Sequence, residues 1–224
     1  TSGTAAIIVS GGSAQTITQS GAGHLPSGTF TVNKSSNSLT LASNVILEGA
    51  LAVTSGTLSQ GASYNMTVSG TTTVGASGIW TNTGTGDITL GGNVANAGTI
   101  TLDSGAAGCG HNDDIVLNST TSAQRTWSGA GTFTLNDLAV SWMAGSMTAL
   151  SSTNSGNNAW TFSGCGITIS GTVYQSDGTT VYNCSSNNLT IAVRVNGAGT
   201  ASTVCSAAGG TYSVPNVTIG GAGN

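Results

Sequence analysis

The sequence predicts an all-β protein: a β-solenoid (β-helix) body over residues 25–165 and a β-sandwich module over 166–224. Three observations predict it. Short apolar-x-apolar triplets recur through the first two thirds of the chain, Gly/Asn clusters separate them, and no stretch shows capped helical periodicity. The 224 residues suffice for a sizeable core. Charge is scarce, but 38% of residues are hydrophobic, in short β-branched runs, so the chain reads as ordered rather than disordered.

Residues 1–24 read as an N-terminal strand or cap. Ala5, Ala6, Ile7, Ile8 and Val9 form a β-prone run flanked by Gly3 and Gly11-Gly12. Such a strand could pair within the chain or add to a neighbouring subunit. Head-to-tail addition would build a homopolymeric filament.

The body follows. Leu39-Thr40-Leu41, Leu51-Ala52-Val53, Met66-Thr67-Val68, Ile88-Thr89-Leu90, Ile100-Thr101-Leu102, Ile115-Val116-Leu117 and Phe133-Thr134-Leu135 each place two apolar side chains on one face. Ser55-Gly56, Asn82-Thr83-Gly84, Gly91-Gly92-Asn93 and Asn96-Ala97-Gly98 supply turns, because Gly and Asn tolerate positive φ. Intervals of about 12 to about 22 residues fit both solenoid turns and sandwich hairpins. Corner Gly/Asn, stackable Thr/Ser and an echo between Val68–Val74 and Val94–Leu102 favour the solenoid.

On these phrases, residues 25–165 resemble the right-handed parallel β-helix regions of bacterial and archaeal surface adhesins. The resemblance implies a right-handed solenoid at a cell surface. Residues 109–145 depart from the pattern with Cys109, His111, Asp113, Asp114, Trp127, Trp142 and Met143, and read as a cap or loop excursion.

From Ile167 the style changes. A Gly171-Thr172-Val173 strand, an Asp177-Gly178 turn, the strand Leu189–Val195 and a Gly210-Thr211-Tyr212-Ser213-Val214 strand follow in order. The segment resembles the carboxypeptidase-regulatory-like family, which implies an Ig-like/transthyretin-like sandwich. Ala207-Ala208-Gly209 replaces the family's Asp-containing turn, and one or two closing strands are missing from the pattern before Asn224. An incomplete sandwich exposes a sheet edge that another strand should cover.

Composition narrows the function. Lys34, Arg125 and Arg194 are the only basic residues beside seven acids, so no basic patch exists to neutralise phosphates, and nucleic-acid binding is excluded. No apolar run approaches the roughly 20 residues of a membrane helix, and no basic-then-apolar leader opens the sequence, so a soluble, processed, secreted product without membrane insertion is expected. Cys109, Cys165, Cys184 and Cys205 lack a CxxC pair, which favours disulfides in an oxidising compartment. Cys184–Cys205 with Cys109–Cys165 is the most economical pairing, and the other two connectivities stay open.

Catalytic groups are sparse. Asp103, Asp113, Asp114 and Asp137 are accompanied only by Arg125, which is thin for polysaccharide cleavage. His24 and His111 lie beside no Gly-x-Ser-x-Gly elbow. No enzyme is expected, and no cofactor. Asp113 and Asp114, with His111 and Asn112, offer hard-oxygen ligands that suit calcium, but their spacing matches no calcium loop, and an Asn/Asp turn leading into Ile115-Val116-Leu117 is the preferred reading.

Trp80, Trp127, Trp142 and Trp160 could stack on sugars or pack a core. The sole lysine, Lys34, invites an intramolecular Lys–Asn crosslink. Asn33, Asn65, Asn118, Asn183, Asn188 and Asn216 head glycosylation sequons. Ice binding through a Thr-rich solenoid face would need a regular Thr-x-Thr ladder, which the linear sequence does not display.

The expectation is a structural subunit of an extracellular fibre or cell-surface assembly, polymerising with itself by β-strand addition. The alternative is an adhesin module that binds glycans or another cell surface.

Overall fold

The computed structural model describes residues 3–21, 23–105, 114–163, 167–185, 188–195, 198–205 and 209–217. The protein is all-β, and its first part is a β-solenoid of about six turns. The chain divides into two compact units, Thr1–Ser163 and Gly164–Asn224.

In the first unit, each early turn supplies three short strand segments. The turn beginning at Leu51 has Leu51–Val53 and Thr57–Ser59 within one bent strand, then Met66–Val68. Successive turns stack in parallel and in register. Phe30, Leu51, Thr72, Val94 and Trp127 lie above one another. So do Val45, Met66, Ile88, Leu117 and Val140 on the second sheet.

Alternation along each triplet points these residues inward, and the columns merge into one core. Each fully buried Leu, Ile or Val contributes about 1.5–3 kcal/mol, so the stack is held chiefly by burial.

Side chains at the corners set the period. Asn65 N–H donates to Asn44 Oδ1 across 21 residues, and Asp87 N–H to Asn65 Oδ1 across 22. Val116 N–H then donates to Asp87 Oδ1 across 29, in a turn with a longer stretch of sequence. The three side-chain oxygens, two of amides and one of a carboxylate, form a ladder that fastens each turn to the next.

Glycine is required where turns touch. A Cβ on Gly49 would sit 2.2 Å from Gly28 O and 2.3 Å from Ser27 O, closer than any side chain permits.

The echo between Val68–Val74 and Val94–Leu102 is not the register of the stack. The structure pairs Val94 with Thr72, whereas Val68 lies on the other sheet beside Leu90. Strand and turn chemistry recur within every turn, so similar phrases arise at positions that do not face each other.

Later turns hold their core with aromatic rings. Trp80 and Trp127 stack at 6.4 Å, and Trp160 meets Trp127 edge-on at 5.2 Å.

The second unit has two small antiparallel sheets, Ile167–Thr172 with Thr211–Val217 and Leu189–Val195 with Ala198–Cys205. A disulfide joins Cys184 to Cys205, and both cysteines are buried.

Candidate functional site

The first strand, Ile7–Gly11, pairs on one side with Phe30–Lys34 and ends its sheet. Ile7 and Val9 pack against the core, while Ile8 is 67% exposed. Ile7 N–H donates to Thr29 O at 3.1 Å. Amides alternate sides along a strand, so the N–H groups of Ile8 and Ser10 face the open edge.

Proteins usually guard such an edge with charge, proline or a bulge. Residues 3–17 contain no charged residue and no proline. Ala5 and Ala6, just before the strand, are exposed. Of the two outcomes the sequence allowed for this run, pairing within the chain occupies one edge and leaves the other available.

The turn after this strand is braced. Lys34 is buried, and its Nζ donates to Ser13 O at 2.7 Å and Gln15 Oε1 at 2.6 Å. Ser36 Oγ and Asn37 Nδ2 both donate to Gly12 O, with Asn37 at φ 58°. Burying an ammonium is tolerable only with such oxygens around it. The acceptors at Lys34 Nζ, Ser13 O and Gln15 Oε1, offer nothing to a Lys–Asn crosslink.

Among the described acids, Asp103 and Asp137 come together through Asn136, while Asp87, Glu48 and Asp177 have other partners. Asp87 belongs to the corner ladder. Asp103 Oδ1 accepts from Gly105 N–H and Asn136 Nδ2, and Asp137 Oδ2 accepts from Asn136 Nδ2 at 3.4 Å. Arg125 is turned to hydroxyls, donating to Ser119 Oγ at 2.9 Å and Thr121 Oγ1 at 2.7 Å. His24 Nδ1 pairs with Glu48 Oε1 on an exposed corner.

Asp114 is buried, and Cys109, His111, Asn112, Asp113 and Cys165 lie outside the described residues. Among the described residues no three His, Cys, Asp or Glu side chains group to hold a metal. The described residues hold no helix long and apolar enough to cross a membrane, which says nothing of a β-barrel.

Trp80, Trp127 and Trp160 lie in the core rather than in a surface row. Trp160 Nε1 donates to Ala144 O at 3.1 Å, and Trp127 Nε1 meets Met143 Sδ at 3.3 Å. Trp142, at φ 61°, is half-buried.

Of the sequon asparagines, Asn33, Asn65, Asn183 and Asn188 are exposed and Asn118 is half-buried, while Asn216 lies in the strand Thr211–Val217. Several carbonyls are already engaged. Asn33 Oδ1 accepts from Ser55 Oγ, Asn118 Oδ1 from Ser141 Oγ and Asn183 Oδ1 from Ser185 N–H.

An open depression of about 360 Å³ lies between Thr54, Thr73, Gly75, Asn96 and Gly129. Its lining holds hydroxyls, an amide and small apolar groups, without an acid or a base.

One surface was not legible from the sequence. Thr16, Thr40, Ser59, Thr81, Thr101 and Thr134 are successive register partners in parallel strands. Two residues earlier on the same strands, Ser38, Thr57, Ile79, Thr99 and Thr132 form a second column. The residues between, Leu39, Leu58, Trp80 and Ile100, are buried, so both columns face outward. A ladder of Ser and Thr hydroxyls, interrupted at Ile79, is therefore present in the fold though the linear sequence does not display it. Corner loops of unequal length hide it by spacing its members unevenly along the chain.

Comparison with family models, curated proteins and solved structures returned no match to this chain.

Proposed function

We propose that the chain is a structural segment of an extracellular fibre or cell-surface assembly that extends by β-strand addition. The observation that carries this reading is the unguarded edge of Ile7–Gly11, with the Ile8 and Ser10 amides turned outward and no charged residue within residues 3–17. The Cys184–Cys205 disulfide supports an oxidising, extracellular setting. Acids, Arg125 and Lys34 engaged in bracing corners and turns support a scaffold over a catalyst. An adhesin of the β-helical kind would use the same solenoid.

Deleting residues 1–12 is a poor test, because it strips Ile7 and Val9 from the core. Ser10→Pro removes one outward donor and leaves the bonds to Phe30–Lys34 intact. Sedimentation velocity with negative-stain imaging, over rising concentration, checks it. The original chain should form head-to-tail oligomers, and Ser10→Pro should stay monomeric with an unchanged melting temperature. A chain that stays monomeric at high concentration defeats the proposal, as does a Ser10→Pro variant that polymerises equally well.

A further inference from the structure

The two outward columns form a two-dimensional array of side chains. Parallel strands lie about 4.7–4.9 Å apart, and residues i and i+2 lie about 6.4–6.8 Å apart along each strand. The array therefore repeats at two fixed spacings over five turns. Every position in it is Ser or Thr except Ile79, which is 39% exposed.

The concentration of hydroxyls is local. The outward column on the earlier part of the same sheet reads Ile8, Thr31, Ala52, Thr73 and Ala95, and that on the second sheet reads Ile46, Thr67, Thr89 and Asn118. A general preference of strands for threonine would have filled all three faces alike. Only one face carries two adjacent hydroxyl columns.

We propose that this face binds the surface of ice. Each hydroxyl both donates and accepts, which matches a lattice in which every oxygen does the same. Oxygen atoms on ice surfaces repeat on a two-dimensional net of comparable spacings. The charge also fits: the array holds no acid, base or aromatic ring, as suits an uncharged lattice. A saccharide would instead be gripped by exposed rings, and Trp80 is turned into the core beneath this face.

Preorganisation supplies the remaining requirement. Freezing a mobile side chain on binding costs about 0.5–1.5 kcal/mol, whereas β-branched threonine starts with a restricted χ1. Here neighbours in register confine it further. Ser38 Oγ and Thr40 Oγ1 already lie 3.2 Å apart across the two columns.

The experiment freezes dilute full-length chain slowly and measures its enrichment in ice, together with thermal hysteresis. The original chain should enter the ice and depress its growth temperature. Thr81→Lys, in the centre of the array, should abolish both effects. Val116→Lys, on the second sheet, should leave both intact, since Val116 is exposed and outside the array. Ile79→Thr completes the second column and should raise the hysteresis without requiring any core repacking. Exclusion of the original chain from ice overturns the proposal. So does equal loss in Thr81→Lys and Val116→Lys, or an Ile79→Thr variant that gains nothing.

Discussion

The solenoid and the C-terminal unit reach order by different routes. In the solenoid, parallel turns repeat one set of contacts: an inward apolar column, a corner ladder of side-chain oxygens and a glycine where backbones touch. Each turn buries its neighbour's apolar face, so stability accumulates along the stack. The C-terminal unit has two small antiparallel sheets and little to repeat. It is fastened by the Cys184–Cys205 bridge and by side-chain bonds inside its turns. Repeated burial carries the solenoid, whereas the C-terminal unit leans on a covalent staple.

The largest effect should come from breaking the column in the solenoid. Trp80 is fully buried and stacked on Trp127, so Trp80→Ala should cost about 3–5 kcal/mol. All four tryptophans lie before Ser163, which makes their fluorescence a reporter of the solenoid alone. Chemical denaturation should show the fluorescence midpoint falling steeply. Hydrogen exchange of the strands Leu189–Val195 and Ala198–Cys205 should stay as before. A C-terminal unit that opens together with the solenoid would mean that the two are energetically one body.

The reciprocal change is smaller. The Cys184–Cys205 bridge closes a loop of sequence separation 21, a length for which cross-linking stabilises by about 3 kcal/mol. A Cys184→Ala/Cys205→Ala double variant should lose that amount from the C-terminal unit, read as faster exchange of the same strands. Its tryptophan transition should not move. If it does, the bridge also supports the solenoid.

How much of this was legible follows from the same contrast. The solenoid triplets were readable because alternation is local: Leu39-Thr40-Leu41 or Ile88-Thr89-Leu90 declares its buried face within three residues. Which triplet lies on which is a long-range property. It is fixed by corner loops whose lengths vary from turn to turn, so the echo of Val68–Val74 in Val94–Leu102 names no neighbours, and Val68 lies beside Leu90. The hydroxyl array was hidden for the same reason. Trp80, Trp127 and Trp160 could be read as ligand platform or core, because an indole serves both and only the inward position decides. The single edge of Ile7–Gly11 lay between the two extremes. Its β character was plain, whereas the Phe30–Lys34 strand that pairs with it lies a full turn away.

The smallest effect tests whether local turn chemistry matters in the unit that lacks periodicity. Asp177 sits in the turn between Tyr174 and Val181. Its carboxylate accepts from the Thr180 hydroxyl at 2.5 Å, the Thr180 amide at 2.8 Å and the Thr179 amide at 2.9 Å. The Thr180 hydroxyl, then the two amides, hold its pKa below the ordinary 3.8. A carboxylate whose pKa falls on folding stabilises the fold above its unfolded pKa, and that contribution fades as pH drops through the folded value. Asp177→Asn should therefore lower the stability of the C-terminal unit slightly at neutral pH. The gap from the original chain should close in acid, below the ordinary aspartate range. Because Asp177 is fully exposed, water competes for its oxygens, and the shift should be the least of the three. Equal gaps at neutral and acid pH would show that the turn is held by its backbone and hydroxyl geometry, with the charge adding nothing.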